Sequence, residues 1–155
     1  MPTYYIDPAG DDGTGDGSSG NPWLTIAHAH TTASGGDTII VNDGTYTWLD
    51  QTFAKALTIQ GESTPTYDAN TLTWSGAIFD GAGAELVWNS VGLAITLNDL
   101  IFTDATRVGG VGNQGFFHSG NWTLTRCVIY SIMTDNASSS FVSFFSWSSI
   151  FIRAS

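Results

Sequence analysis

The stretch GGDTIIVNDGTY, residues 35–46, sets the pattern that the rest of the chain repeats. It is a β-branched run bounded by glycines, which is typical of a short buried strand between tight turns. Side chains alternate across a strand, so Ile39 and Val41 share one face. Gly44 permits the positive φ of a sharp exit turn, after which Tyr46 returns to the same face. The stretch therefore predicts a strand, a turn and the start of a second strand.

Similar strand-and-turn units follow this opening stretch. Residues 57–62 and 77–83 are each a strand pattern that ends at glycine. Residues 97–102 align with 124–129 and again with 147–152, always as apolar-x-x-apolar-x-apolar. The paired x positions break the alternation of a strand, as expected where one strand ends and the next begins at a corner. Repeats of about 20 to 50 residues built from short strands indicate a solenoid of stacked coils.

The aligned repeats also predict which side chains stack inside the solenoid. We expect three inward files, formed by Leu97, Leu124 and Trp147, by Leu100, Cys127 and Ile150, and by Phe102, Ile129 and Ile152.

The residues before this repeat predict a cap. Tyr4 to Asp7 have a short strand pattern, and a loop rich in Gly, Asp and Ser follows over residues 9–21. Thr25 is a suitable N-cap for a helix that runs to Ala33 and ends at two glycines. Ile26, Ala29 and Ala33 share one face of this helix, which we expect to cover an apolar surface.

The strand at Tyr4–Asp7, the loop after it, the NPWLTI segment at residues 21–26 and the stretch at 36–46 resemble the N-terminal region of right-handed parallel β-helix proteins. This pectate-lyase-like superfamily includes polysaccharide lyases, glycoside hydrolases, and the spikes and fibres of bacteriophages. The resemblance covers roughly residues 1–85, and beyond them the repeat alone supports it. It implies an all-β fold, a right-handed parallel β-helix (solenoid) with a short N-terminal capping helix. The implied single domain spans residues 1–155, with strand, loop and cap helix in 1–34 and β-helical coils in 35–155.

Composition excludes several classes of function. Lys and Arg number only 4 against 14 Asp and Glu, for a net charge of −10. Nucleic-acid binding relies on Lys and Arg to neutralise phosphates, so we expect no nucleic-acid partner. No apolar run reaches membrane-spanning length and no signal peptide is visible, so we expect a soluble chain without a membrane partner. The lone cysteine, Cys127, excludes an internal disulfide and is expected to be a buried small hydrophobe.

A calcium site is one interpretation of the N-terminal loop. Asp12, Thr14 and Asp16 place oxygen side chains at every second residue, with Gly17 in the sixth position, like the opening of a calcium loop. The twelfth position is Trp23, where a calcium loop has a bidentate glutamate. The alternative is a solvated turn in which Asp and Gly suit the backbone. We therefore keep calcium as a cofactor hypothesis against the expectation of no cofactor.

Glu62 and Asp80 are the candidates for catalysis. Hydrolysis of a glycosidic bond needs two carboxylates about 5 to 9 Å apart on one exposed face. Both residues follow strand patterns in consecutive units, which predicts that they stack on one face. The same sequence context is equally what a turn after each strand demands, which is the alternative to a catalytic role. A lyase that resembles pectate lyases would use calcium bound by aspartates and an arginine as base. Of Arg107, Arg126 and Arg153, only Arg126 has an evident acidic neighbour, because it aligns with Asp99 of the preceding repeat, and we expect these two to form an exposed ion pair.

The sequence has more aromatic side chains than a single inward file of the core can hold. Trp88 and Trp122 are the candidates for stacking on a sugar ring, because aromatic rings both stack on sugars and anchor protein interfaces. A place in the core or in an interface is the alternative for each. His28 and His30 are two apart on the predicted helix, so they face different sides and cannot chelate one metal as an i,i+4 pair does.

The last repeat predicts an interface. Phe141, Phe144, Phe145 and Phe151 belong to a region too apolar for a solvated rim, and the chain ends soon after them. Unpaired strand edges are adhesive. Either the sequence is a fragment, or another chain covers the final coil. We expect self-association, as a trimer or an end-to-end stack, or contact with other virion proteins.

These features favour a structural or receptor-binding component of a larger assembly over an enzyme. A phage tail spike or fibre, or another virion surface protein, fits best, with a location in the virion or outside the cell and a surface glycan as a further partner. The alternatives are the N-terminal portion of a secreted polysaccharide lyase or glycoside hydrolase, and a cell-surface adhesin.

Overall fold

The computed structural model of the chain describes residues 1–47, 50–84, 88–90, 92–104, 106–107, 117–118, 121–130, 133–134 and 151–153. Within these residues the chain is all-β with a single short helix, as predicted. In chain order the elements are β1 (Thr3–Ile6), α1 (Ile26–Thr32), β2 (Thr38–Val41), β3 (Gly44–Thr47), β4 (Gln51–Thr52), β5 (Leu57–Gly61), β6 (Thr66–Asp68), β7 (Thr73–Ser75), β8 (Ala77–Asp80), β9 (Trp88–Asn89), β10 (Ala94–Asn98), β11 (Leu100–Thr103), β12 (Thr106–Arg107), β13 (Phe117–His118), β14 (Asn121–Thr125), β15 (Val128–Tyr130), β16 (Met133–Thr134) and β17 (Phe151–Arg153).

Most strands belong to three parallel sheets that the chain visits in the same order. Sheet 1 has the strand order β1-β2-β5-β10-β14, sheet 2 has the order β17-β15-β11-β8-β3, and sheet 3 has the order β13-β9-β4. The strands β2, β3 and β4 thus pass through sheets 1, 2 and 3, and β5, β8 and β9 repeat the same path. The strands β12 and β16 form a further parallel pair.

The opening stretch forms its strands as predicted. Ile39 and Val41 on β2 are fully buried, and Tyr46 on β3 joins the same core. Gly44 begins β3 with φ 142°, a conformation that favours glycine. The alternation of buried and partly exposed residues along β2 places one face of sheet 1 on the core.

The inward positions predicted for the files are confirmed by burial at Leu97, Leu100, Phe102, Cys127 and Ile129, and Leu124 is partly buried against the same core. Leu97 pairs with Leu124, and Phe102 pairs with Ile129, which pairs in turn with Ile152. Leu100 and Cys127 are both buried. They immediately precede Ile101 and Val128, which pair with each other on neighbouring strands. Trp147 and Ile150 lie outside the described residues.

The N-terminal cap covers the outer edge of β1. The backbone of Tyr5 bonds to Gly17 and Trp23, and the N–H of Asp7 donates to the carbonyl of Trp23 at 2.8 Å. The indole of Trp23 donates to the carbonyl of Gly15 at 3.0 Å. The loop thus supplies the hydrogen-bond partners that an edge strand lacks.

The helix α1 begins and packs as predicted. Thr25 is its N-cap, and its hydroxyl accepts the N–H of His28 at 3.1 Å. Ala29 and Ala33 are buried and Ile26 is partly buried against the core that the strands share. The cap helix and the parallel sheets therefore share one hydrophobic core.

An antiparallel hairpin interrupts the regular path between sheets 1 and 2. The strands β6 and β7 pair antiparallel, and both lie between β5 and β8 in the chain. Elsewhere the chain passes from sheet 1 to sheet 2 in one or two residues, as between β10 and β11. Near the base of the hairpin, Gly76 lies next to Ile101, a fully buried residue outside the central core cluster.

Candidate functional site at the first corner

The first corner is the place where strands of sheet 1 end and the chain turns toward sheet 2. The last residues of β1, β2 and β5 are in register, so the residues that follow them, Asp7, Asn42 and Glu62, are neighbours. The side-chain amide of Asn42 donates to Asp7 Oδ2 at 2.9 Å, and the N–H of Asp43 donates to Glu62 Oε2 at 3.3 Å. We call Asp7, Asn42, Asp43 and Glu62 the corner ladder.

The hydroxyl of Tyr46 lies against the corner ladder. It is 3.0 Å from the carbonyl oxygen of Ile6 and 2.8 Å from that of Asn42, and it donates its proton to these acceptors. Burial raises the pKa of Tyr46, and the nearby carboxylates of the corner ladder raise it further. The hydroxyl therefore stays protonated and serves as a hydrogen-bond donor, not as a base.

The two predicted catalytic carboxylates do not occupy equivalent positions. Glu62 follows a strand of sheet 1, whereas Asp80 ends β8 in sheet 2, where it pairs with Thr47 and Thr103. Asp80 Oδ1 accepts the N–H of Ala82 at 2.8 Å, as a turn aspartate does. The prediction that Glu62 and Asp80 stack at one repeat position is therefore wrong.

The corner ladder gives Glu62 other carboxylate neighbours, which the sequence reasoning missed. Asp7 directly follows β1, and Asp43 is the second residue after β2, so both lie at the same corner as Glu62. The common register of three strand ends was the signal that could have identified them. These carboxylate oxygens can accept hydrogen bonds from the hydroxyl groups of a ligand.

The predicted pair of Asp99 and Arg126 is present at a later part of this corner. Arg126 Nε donates to Asp99 Oδ1 at 2.6 Å, and Nη2 donates to Oδ2 at 2.5 Å. These hydrogen bonds, followed by the charge of Asp99, raise the pKa of Arg126. The side chain of Arg126 is 49% exposed, but that of Asp99 is only 5% exposed. The expectation of an exposed pair is thus wrong for the carboxylate.

Backbone geometry brings Asp99 to this position. Asp99 and Arg126 have φ of 56° and 51°, the left-handed conformation that turns the chain between adjacent strands. Gly61 lies beneath the corner, where a Cβ would be 2.1 Å from the carbonyl oxygen of Asp99. A glycine is therefore required at position 61.

The residues of the predicted calcium site hold the N-terminal loop. Asp12 Oδ1 accepts the N–H groups of Leu24 and Thr25 at 2.8 and 3.0 Å, and Oδ2 accepts the Thr25 hydroxyl at 2.6 Å. Burial acts to raise the pKa of Asp12, but these hydrogen bonds outweigh it and hold that pKa below its ordinary value. The N–H of Thr14 donates to Asp11, and Asp16 accepts the N–H of Ser18.

Calcium binding by these residues stays a prediction. Asp12 already accepts bonds on both of its oxygens, and Asp16 accepts one. In the part of the chain that the structure describes, no three His, Cys, Asp or Glu side chains come together as a metal site.

The two predicted sugar-stacking residues have different surroundings. Trp88 is fully buried, with ring centroids 5.2 Å from Phe53, 5.2 Å from Phe79 and 5.3 Å from Phe102. It cannot present a face to a sugar, so that prediction is wrong. Trp122 is partly exposed and packs on the ring of Phe117 at 5.0 Å.

The hairpin carries the most accessible aromatic pair of the described chain. Tyr67 and Trp74 are directly opposite each other on β6 and β7, with ring centroids 5.1 Å apart. Tyr67 is 38% exposed, and Leu72 in the connecting turn is 71% exposed.

The predicted interface falls mostly outside the described residues. The residues that the structure does not describe include three of the four, Phe141, Phe144 and Phe145. Phe151 is on β17, an end strand of sheet 2, where it pairs with Val128. The described residues contain no helix long and apolar enough to cross a membrane.

Comparisons with known proteins found one distant structural likeness. The chain matches no known family profile and no curated protein. A solved structure of a rhamnogalacturonan lyase is similar with a TM-score of 0.45 and 14% identity. The similarity covers 85% of this chain and 36% of the lyase chain.

Proposed function

We propose that the chain is a right-handed parallel β-helix that acts as a structural or receptor-binding component of a larger assembly. The observation that carries this proposal is the repeated path of the chain through three parallel sheets. Because each coil bonds to the coils before and after it, such a stack behaves as a quasi-one-dimensional rod. A phage tail spike, a fibre or another virion surface protein uses a rod of this kind.

Stacked aromatic rings support a rigid interior for this rod. The rings of Tyr46 and Phe79 stack with centroids 5.4 Å apart, and those of Phe79 and Phe102 with centroids 5.5 Å apart. The three residues come from β3, β8 and β11, neighbouring strands of sheet 2. Bending the rod would separate these rings.

The hairpin is the element that we assign to receptor contact. It leaves the regular path of the sheets and exposes Tyr67 and Leu72, which the interior does not use. The proposed partners are a second copy of this chain, another virion protein or a surface glycan. The proposed location is the virion or the outside of the cell.

Light scattering over a micromolar concentration series tests the assembly part of this proposal. We expect a mass above that of the monomer, in a trimer or a growing end-to-end stack. A well-folded monomer that persists at the highest concentration would contradict it. Binding to host cell surfaces, with deletion of residues 66–75 as the variant, tests the receptor part.

A second candidate function is cleavage of a polysaccharide, as the N-terminal portion of a lyase or a hydrolase. The specific observation in its favour is the corner ladder, which gathers the carboxylates of Asp7, Asp43 and Glu62 around one tyrosine. Release of reducing ends or of unsaturated products from a panel of polysaccharides tests this function. Activity that Glu62→Gln abolishes, but that Asp80→Asn keeps, would favour the enzyme over the structural rod.

A further inference from the structure

The C-terminal end of helix α1 is tied to the segment 51–55 of the first coil. The Nζ of Lys55 donates to the carbonyl oxygens of His30 at 2.9 Å, Thr31 at 2.9 Å and Ala33 at 2.6 Å. These carbonyls lie in the last turn of the helix, where intrahelical partners run out. Lys55 therefore acts as a side-chain cap that joins the helix to the coil.

The ring of His30 makes a second connection at the same place. Its Nε2 accepts the N–H of Ala54 at 3.1 Å, and its ring meets the edge of Phe53 at 5.5 Å. Phe53 is fully buried and contacts Trp88 in the aromatic interior. His30 thus links the cap helix, the first coil and the interior.

This arrangement requires a neutral imidazole. A ring nitrogen accepts a hydrogen bond only while it carries no proton, and both nitrogens are donors in the charged form. With Nε2 accepting, the neutral ring carries its proton on Nδ1, which lies 3.4 Å from the side-chain amide nitrogen of Gln51. That amide nitrogen donates to the carbonyl of Thr52 at 2.8 Å. A protonated ring would point an N–H at the N–H of Ala54.

The charges around the ring also oppose its protonation. Burial lowers the pKa of His30, and the ammonium of Lys55 lowers it further. His28, the other histidine of the helix, packs against Trp23 at 5.1 Å, on another side of the helix. Asp12 bonds to Leu24 and Thr25 at the opposite end of the helix. At the C-terminal end, Asp37 Oδ2 accepts the N–H of Ser34 at 2.8 Å, and Asp50 directly precedes segment 51–55 in the chain.

We propose that His30 is an acid-sensitive latch, whose protonation releases helix α1 from segment 51–55 and opens the N-terminal end of the aromatic interior. The released state has the ordinary histidine pKa of 6.5, and the latched state has a lower one. The latched state is therefore fully favoured above pH 6.5 and loses its advantage as the pH falls below that value. This device is independent of the role that the assembled rod performs.

Amide hydrogen exchange of the full chain tests the latch. Exchange is followed by NMR at about pH 7.5 and about pH 5, and rates are corrected for the intrinsic effect of pH. We expect the Ala54 amide to lose protection at the lower pH, while the Leu97 amide in the middle of sheet 1 keeps it. Equal protection of Ala54 at both pH values would overturn the proposal, as would parallel loss at Leu97.

Two variants separate the ring of His30 from other acid effects. His30→Gln keeps an acceptor for Ala54 but cannot ionise, so it is expected to keep protection at the lower pH. His28→Gln removes the imidazole two residues away and is expected to respond as the wild type does. A pH response of His30→Gln equal to that of the wild type would overturn the latch.

A titration of the wild type decides the matter if His30→Gln does not fold. The ring proton signals of His30 are expected to titrate with a midpoint below 6.5, and the Ala54 amide shift is expected to follow the same midpoint. A His30 midpoint at or above 6.5, or an Ala54 shift that does not follow it, would overturn the latch.

Discussion

The interior beside sheet 2 and the first corner beside sheet 1 both stack residues from neighbouring parallel strands, but with different chemistry. Tyr46, Phe79 and Phe102 stack aromatic faces in the interior. The corner stacks strand ends, where carboxylates, an amide and a glycine meet backbone groups. The interior contributes to stability through apolar area removed from water, whereas the corner contributes by directing the chain into its next strand.

Truncation of the interior is expected to have the largest effect. Phe102→Ala removes a fully buried ring that contacts Phe79, Trp88 and Phe117. We expect it to lower the free energy of unfolding by about 3–5 kcal/mol through lost burial and a residual cavity. Chemical denaturation measures the loss, with Thr45→Ala on the exposed side of β3 as the control. A loss under about 1 kcal/mol would mean that the stacked rings of Tyr46, Phe79 and Phe102 contribute little to the stability of the fold.

Adding a side chain at position 61, next to the carbonyl of Asp99, is expected to have the next largest effect on stability. In Gly61→Ala the new Cβ meets a backbone oxygen, which cannot move aside as a flexible side chain can. We expect a loss of about 1–3 kcal/mol in the free energy of unfolding. Gly20→Ala is the matched control, because a Cβ there meets nothing within 4 Å. Equal stabilities of the two variants would contradict the tight corner.

Tyr46 joins the two regions, so its hydroxyl can be tested apart from its ring. Tyr46→Phe keeps the stacking on Phe79 but leaves the carbonyls of Ile6 and Asn42 without the hydroxyl proton. We expect a loss of about 0.5–1.5 kcal/mol, measured by thermal or chemical unfolding. A change as large as that of Phe102→Ala would show that the corner and the interior are not separable.

The hairpin is expected to be the least sensitive region. Trp74→Ala removes a cross-strand partner of Tyr67, and such pairs contribute about 0.2–1 kcal/mol. The variant is expected to unfold within about 1 kcal/mol of the wild type and to keep its circular dichroism spectrum. A larger loss would assign the hairpin to the core of the fold and would weaken its proposed role in receptor contact.

The same contrast explains what could be predicted from the sequence. The positions of Ile39, Val41 and Tyr46 followed from alternation, because each lies on a regular strand with one face on the core. The pairing of Asp99 with Arg126 followed from the repeat, because parallel neighbours align residue for residue. Regular backbone makes such inferences reliable.

The errors occurred where the regular pattern stops. Trp88 lies on β9, a strand of two residues, which is too short for alternation to reveal its buried side. Glu62 and Asp80 looked equivalent because nothing in the local sequence shows that residues 62–76 leave the path between two sheets. The burial of Asp99 depends on its left-handed φ, which alignment of repeats does not reveal.

The contacts of Lys55 have a practical consequence for chemical labelling. Lys55 is the single lysine of the sequence, so the side chains offer one primary amine to an acylating reagent. While the ammonium donates to three carbonyls at the end of α1, it must give up those bonds before its nitrogen can attack. The rate of acylation at this amine therefore reports how often Lys55 releases the carbonyls at the end of α1. A fluorophore coupled there would mark the junction between helix α1 and segment 51–55.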